Sequence, residues 1–174
     1  MKAREKVKTL DELRPALAEA RRKGRRVVFT NGCFDLLHTG HLRYLEAAGA
    51  LGDLLVVGVN SDRSVRHIKG PRRPVVGETD RSELVAGLHC VDYVVLFDTP
   101  DPLPLIQAIS PDVLVKGADW AMEDIVGGDW VRARGGRVER VPLVAGMSTT
   151  RLIQSVLEAY GASPEPCGPR ASGD

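Results

Sequence analysis

Asn31-Gly32-Cys33-Phe34-Asp35-Leu36-Leu37-His38-Thr39-Gly40-His41 is the stretch whose reading decides the fold. A largely apolar segment, Arg26-Val27-Val28-Phe29-Thr30, leads into it. A helical pattern from Leu42 to Leu51 leads out, with Leu42, Leu45 and Ala48 at helical spacing. Strand, glycine turn, helix is the order that sets backbone N–H groups and a helix N-terminus against a phosphate. Two histidines three residues apart at that N-terminus face the same side. An imidazole N–H stabilises charge developing on a phosphate oxygen, so the stretch points to chemistry at phosphorus.

Outward from this stretch the chain alternates. Thr9-Leu10-Asp11-Glu12 reads as a capping box for a first helix that runs to Arg22 and stops at Lys23-Gly24. Strands are expected at Val27–Thr30, Leu54–Val59, Tyr93–Phe97, Val113–Val115 and, more edge-like, Arg137–Val141. Helices are expected from Ser61 toward His67, over Glu78–His89, Pro102–Ile109 and Asp124–Arg134, and from Ser148 to Tyr160. Ile68–Gly77, rich in Gly, Pro and Arg, reads as a loop. The pattern predicts an α/β fold, a Rossmann-like, doubly wound parallel sheet of five strands. Ligands of such sheets sit beyond the carboxyl ends of the strands. The histidine loop, Asn60-Ser61-Asp62, Lys116–Asp119 and Ser148–Thr150 all fall on that edge and are expected to converge.

The 174 residues suffice for one domain, expected over 1–160, with a disordered tail of Pro, Gly and Ser over 161–174. A hydrophobic content of 43% excludes a mainly disordered chain. The formal net charge of +1 and only 5% aromatic residues argue against a nucleic-acid partner. No apolar stretch is long enough to span a bilayer, so no membrane partner is expected. Cys33, Cys90 and Cys167 form no C-x-x-C pair. Neither a zinc knuckle nor a disulfide framework is indicated, and a reducing cytoplasm is the simplest compartment.

Each cluster has a bland reading as well. A lone histidine at a helix start is usually an ordinary cap, but the H-x-G-H pair on a strand–turn–helix favours function. It is not H-E-x-x-H, so no zinc-protease site is read there. Gly40 costs helix propensity, which a close ligand would explain. Cys33 reads as a small packed residue rather than a thiolate nucleophile. Lys69, beside Gly70-Pro71, reads as a loop cation able to close over a triphosphate. Arg72 and Arg73 divide evenly between a solvated face and function. Lys116, ending a buried strand, is expected to face the cleft. One hydroxyl of Ser148–Thr150 caps the last helix, and Gly146 just before it permits a close turn.

Gly32-Cys33-Phe34-Asp35-Leu36-Leu37-His38-Thr39-Gly40-His41 and Met147-Ser148-Thr149-Thr150 resemble the G-x-F-D-x-x-H-x-G-H and I-S-T-T motifs of a nucleotidyltransferase superfamily. Phe29–His41, Val57–Asp62, Lys69-Gly70-Pro71, Cys90–Phe97 and Pro111–Asp119 look closest to its heptose 1-phosphate adenylyltransferases. The resemblance spans about Leu10 to Tyr160. It implies an enzyme that joins AMP from ATP to D-glycero-β-D-manno-heptose 1-phosphate, with Mg²⁺, giving ADP-heptose and pyrophosphate. It implies a homodimer and, since the chain has no room for the sugar kinase fused to many relatives, the stand-alone form. His38, His41 and Lys69 would be catalytic. Asn31, Gly32, Cys33, Phe34, Gly40, Lys116, Gly117, Asp119, Gly146, Ser148, Thr149 and Thr150 would hold the nucleotide. Asp35, Asn60 and Arg81 would touch the acceptor, and no residue is assigned as a metal ligand. Two departures stand out. Cys33 replaces a Thr common in relatives. The Arg that cytidylyltransferase relatives carry before S-T-T is missing, with Arg140 nearby. The rivals are a cytidylyltransferase for glycerol 3-phosphate and a nucleotide-binding regulatory module without catalysis.

Overall fold

A computed structural model describes residues 1–144 and 146–161. The tail expected over 161–174 lies outside the described residues beyond Gly161, as does Cys167. In chain order the elements are α1 (Ala3–Lys6), β1 (Val7–Lys8), α2 (Leu10–Arg22), β2 (Val27–Gly32), α3 (Thr39–Gly49), β3 (Leu54–Asn60), α4 (Asp62–Lys69) and α5 (Glu78–Gly87). There follow β4 (Tyr93–Phe97), α6 (Leu103–Ile109), β5 (Val113–Gly117), a 3₁₀ turn (Met122–Asp124), α7 (Gly128–Ala133), β6 (Arg137–Val141) and α8 (Thr149–Tyr160).

One parallel sheet runs in the order β1-β4-β3-β2-β5-β6. It has six strands where the sequence pattern predicts five. The additional strand, β1, pairs Val7 with Val94 and Lys8 with Val95. Two residues are too few to show a period, so pairing alone reveals it. The chain places β3 and β4 on one side of β2, then β5 and β6 on the other. This reversal opens a crevice at the carboxyl end of β2.

Side chains alternate along β2 and feed two cores. Val27 and Phe29 pack with Leu13 and Leu17 of α2 and Ile106 and Ile109 of α6. Val28 packs with Tyr44, Leu45 and Ala48 of α3 and Val85 of α5. All seven residues of β3 are buried, as a continuous apolar strand in a doubly covered sheet should be. Each large apolar side chain so buried contributes about 1.5–3 kcal/mol, which makes the sheet a rigid base for the loops above it.

Several boundaries move toward the crevice. β2 continues through Asn31 and Gly32, in register with Gly58 and Val59. α3 begins at Thr39 rather than Leu42, with His38 as its N-cap. α4 reaches Lys69, which therefore ends a helix instead of sitting in a loop. The single helix expected over 124–134 is split, because Gly127 adopts a left-handed φ of 80°.

Candidate active site

A cleft of about 450 Å³ sits over the carboxyl ends of β2 and β5. The histidine loop forms its floor. Lys69 enters from the end of α4, Lys116, Gly117 and Asp119 from the end of β5, and Ser148, Thr149 and Thr150 from the start of α8. Asn31, Gly32, Cys33, Phe34 and Gly40 also line it. Three of the four polar clusters expected on this edge converge here.

The histidines define its centre. The His38 carbonyl accepts from the backbone N–H of His41 at 2.9 Å and of Leu42 at 3.2 Å, closing the first turn of α3. The two imidazoles stack, 3.9 Å between centroids and 20° between planes. The Phe34 ring lies tilted against His41, 5.3 Å away. Phe34 itself holds a left-handed φ of 47°, strain of the kind that collects at functional loops. Burial, and then the neighbouring His38, push His41 down to about 4, and burial lowers His38 as well. Both shifts favour the neutral ring at pH 7. The Nδ1 atoms of both are buried without a hydrogen-bond partner among the described residues. Orphaned buried polar atoms call for an explanation.

Gly40 is explained differently from the sequence reading. A Cβ there would lie 2.8 Å from His38 Nδ1 and 3.2 Å from Met147 Cβ. The close neighbours are the His38 ring and the segment before α8, so Gly40 makes room for the imidazole stack. Gly117 behaves alike, its missing Cβ leaving space for the Asp119 carboxylate.

Lys116 reaches into the cleft. Its Nζ donates to Asn31 Oδ1 at 2.5 Å and lies 5.9 Å from the centre of the Trp120 ring. Burial lowers it to about 8, with Cys33 and Asp119 opposing the shift. Burial also pushes the Cys33 thiol up, which disfavours the thiolate that a nucleophile needs. At the start of α8, the Ser148 hydroxyl caps the helix by accepting from Arg151 N–H at 3.2 Å. That turn carries the hydroxyls of Thr149 and Thr150 and the free amide groups of a helix start, a seat for an anion. Gly146, in the turn before it with φ 79°, does not line the cleft.

Of the three residues expected to touch the acceptor, Asp35 alone lines the cleft. Arg81 has no solvent exposure and does not line the cleft. Its guanidinium donates to the carbonyls of Val76, Cys33 and Asn60 and to Asp62 Oδ1. It braces three segments from beneath. Asn60 is likewise buried, its Nδ2 donating to Ser64 Oγ at 3.0 Å. Ser61 and Asp62 face a separate groove outside α4. Asp35 lines the cleft, yet its carboxylate accepts from Arg73 Nε and from the N–H groups of Val75 and Val76. It fastens the segment before α5 to the histidine loop. Sequence reasoning did not single out Tyr44 and Trp120, which also line the cleft. Tyr44 is tied by its hydroxyl to Thr30 and to the Val115 carbonyl. Tyr44 follows His41 by three residues on α3, a helical spacing that could have marked it, whereas nothing in linear order marks Trp120 as a neighbour of the histidines.

A sheet of this order, with neutral imidazole donors, lysines and a helix start gathered at its switch point, defines an enzyme that transfers nucleotidyl groups. Residues 29–155 match the Cytidylyltransferase-like family, and the chain belongs to it. It is 54% identical over 155 residues to the "Bifunctional protein HldE" of Citrifermentans bemidjiense, covering 89% of this chain and 32% of that protein. The protein of that name from Trichlorobacter lovleyi is 56% identical over 155 residues, with the same coverage. The chain thus spans about a third of the length of these curated relatives. Among solved structures, a "lipopolysaccharide core biosynthesis protein" from Thermoplasma volcanium GSS1 superimposes with a TM-score of 0.59 at 30% identity. It covers 70% of this chain and 98% of its own. Among the described residues, no helix is long and apolar enough to cross a membrane.

Proposed function

We propose that the chain transfers the adenylyl group of ATP to D-glycero-β-D-manno-heptose 1-phosphate, giving ADP-heptose and pyrophosphate. The observation that carries this reading is the stacked pair His38–His41 sharing one cleft with Lys69 and the hydroxyl-bearing start of α8. The choice of ATP and the heptose comes from the resemblance of the motifs to heptose 1-phosphate adenylyltransferases, and similarity to the bifunctional HldE proteins supports a nucleotidyl transfer. A phosphate oxygen of the sugar attacks the α-phosphorus in line, one P–O bond forms, and the bond to pyrophosphate breaks. The protein supplies position and charge rather than a nucleophile. Neutral His38 and His41 donate N–H to oxygens of the reacting phosphate. Lys69 meets the charge that builds there, and the start of α8 holds the leaving pyrophosphate.

Among the described residues, no three His, Cys, Asp or Glu side chains gather around a metal. Asp119, the cleft carboxylate other than the already paired Asp35, would hold Mg²⁺ arriving on the triphosphate. When bound, the ion neutralises charge on the phosphates. A homodimer is the expectation that goes with the family resemblance, and a reducing cytoplasm the one that goes with the scattered cysteines.

Pyrophosphate release from ATP or CTP, with a panel of sugar 1-phosphates and glycerol 3-phosphate, tests the reading. ATP with the heptose phosphate is expected to give the highest kcat/KM. A preference for CTP with glycerol 3-phosphate would replace it with the cytidylyltransferase. Tight ATP binding without pyrophosphate release from any pair would favour the regulatory module.

A further inference from the structure

Arg73 is a cation of the cleft that the transfer described above does not use. It belongs to the segment between α4 and α5, and its side chain is only 18% exposed. Its Nε donates to Asp35 Oδ2 at 2.5 Å, and Asp35 is 1% exposed at its side chain. The other carboxylate oxygen of Asp35 accepts from Val75 N–H at 2.7 Å and Val76 N–H at 3.0 Å. Asp35 therefore fixes both the guanidinium and the backbone that carries it. The terminal nitrogens of Arg73 make no hydrogen bond among the described residues, and Arg73 lines the cleft together with Lys69 and the two histidines. A guanidinium held at Nε keeps its terminal N–H groups, in fork geometry, for a second anion.

The sheet order divides the cleft about the end of β2. The β5–β6 side carries Trp120 and Leu143, an apolar rim that suits a nucleobase, while the segment leading into α8 lies against Gly40 beside the histidines and offers a phosphate seat. The β3 side carries Lys69 and Arg73, two cations whose neighbouring carboxylate, Asp35, is already paired. That side suits a small dianion. Two polyanions that must meet at one phosphorus repel each other, and each needs its own counter-charge.

We propose that Arg73, aimed by Asp35, seats the phosphate monoester of the acceptor on the β3 side of the cleft. This rests on the reading that the acceptor is a sugar phosphate. Asp35 is then a positioning residue for the acceptor rather than a group that touches it.

The test is steady-state pyrophosphate release by wild type, Arg73→Gln and Arg73→Lys, with ATP and the heptose 1-phosphate varied separately. It is paired with calorimetric titration of each protein with inorganic phosphate. Arg73→Gln is expected to raise the KM for the sugar phosphate by roughly tenfold or more, as for a lost charged hydrogen bond, with the KM for ATP within about twofold. Inorganic phosphate binding should weaken in parallel. Arg73→Lys keeps the charge but not the fork, so it should fall between the two, and it decides the matter if the Gln variant does not fold. A selective rise in the KM for ATP, or no change in either KM, overturns the proposal. If wild type turns over no sugar phosphate, the transferase reading fails by itself. Arg73-dependent binding of inorganic phosphate would then still uphold the seat, and its absence would remove it.

Discussion

His38 and His41 lie ring on ring, 3.9 Å apart and 20° from parallel, at the start of α3. Burial is the main cost of charging either ring, and two imidazolium ions at that spacing would repel as well. This is why His41 is held at about 4. In the unfolded chain it titrates near 6.5, so between about pH 6.5 and 4 the unfolded state binds a proton that the folded state refuses. Stability therefore falls on acidification through that window and is level above it. His41→Asn should lose less of its Tm than wild type between pH 7.5 and 5, by about 2–5 °C. Its turnover at pH 7.5 should drop about 10²–10³-fold with little change in nucleotide affinity. Identical acid sensitivity in both proteins would show that His41 is not buried and neutral as described.

Gly40 leaves no room for a methyl group. Gly40→Ala would place a Cβ 2.8 Å from His38 Nδ1 and 3.2 Å from Met147 Cβ. The His38 ring must move, and a shift of about 1 Å in a catalytic group can cost 10²-fold in rate. Turnover is expected to fall by about that factor while the urea midpoint changes little, since alanine favours the helix. Wild-type kcat in this variant would mean that the imidazole stack is dispensable.

Lys116 is a cation of the cleft whose burial costs stability. Burial holds it at about 8 when folded, against 10.5 ordinarily. Between those values the unfolded chain keeps a proton that the folded chain releases. Stability from this group rises with pH across that window, and below pH 8 the buried charge is a constant penalty. Lys116→Met should melt at or above the wild-type Tm at pH 7 and lose the alkaline rise, while the KM for ATP increases roughly tenfold. Melting curves from pH 7 to 10 decide it: a variant that melts lower at pH 7 and keeps the wild-type pH dependence contradicts the account.

Arg81 is a structural brace. Arg81→Met would strand the carbonyls of Cys33, Asn60 and Val76 and leave Asp62 without its partner. Removing one member of a buried charged pair costs about 3–5 kcal/mol, and Asp62, being partly exposed, places the loss at the lower end. Urea unfolding measures it. Arg81→Lys should rescue little, because one ammonium cannot reach four acceptors on separate segments. A variant with wild-type stability and a raised acceptor KM would return Arg81 to the substrate.

Much of the site was legible in linear order. Asn31 to His41 carries its own strand end, turn and helix start, and Ser148 is a cap by local chemistry alone. These features depend on neighbours within a few residues, where backbone preference and side-chain capping act. Arg81 entered as an acceptor residue only through the family resemblance. Its burial depends on Cys33, Asn60 and Val76, which reach it only after the sheet has formed. Arg73 read as an even choice for the converse reason, since its orienting partner Asp35 lies 38 residues away.

The sequence alone determined the alternation of buried strands and helices, the placing of the histidines at a helix start, and the hydroxyl cap of the last helix. Each follows from periodicity or capping over one or two turns. The tertiary structure decided which cations face the cleft, which are spent inside the fold, and that the edge strand β1 exists at all. Those outcomes rest on pairings between distant segments, where burial removes water and every charge must find a partner or an open cavity.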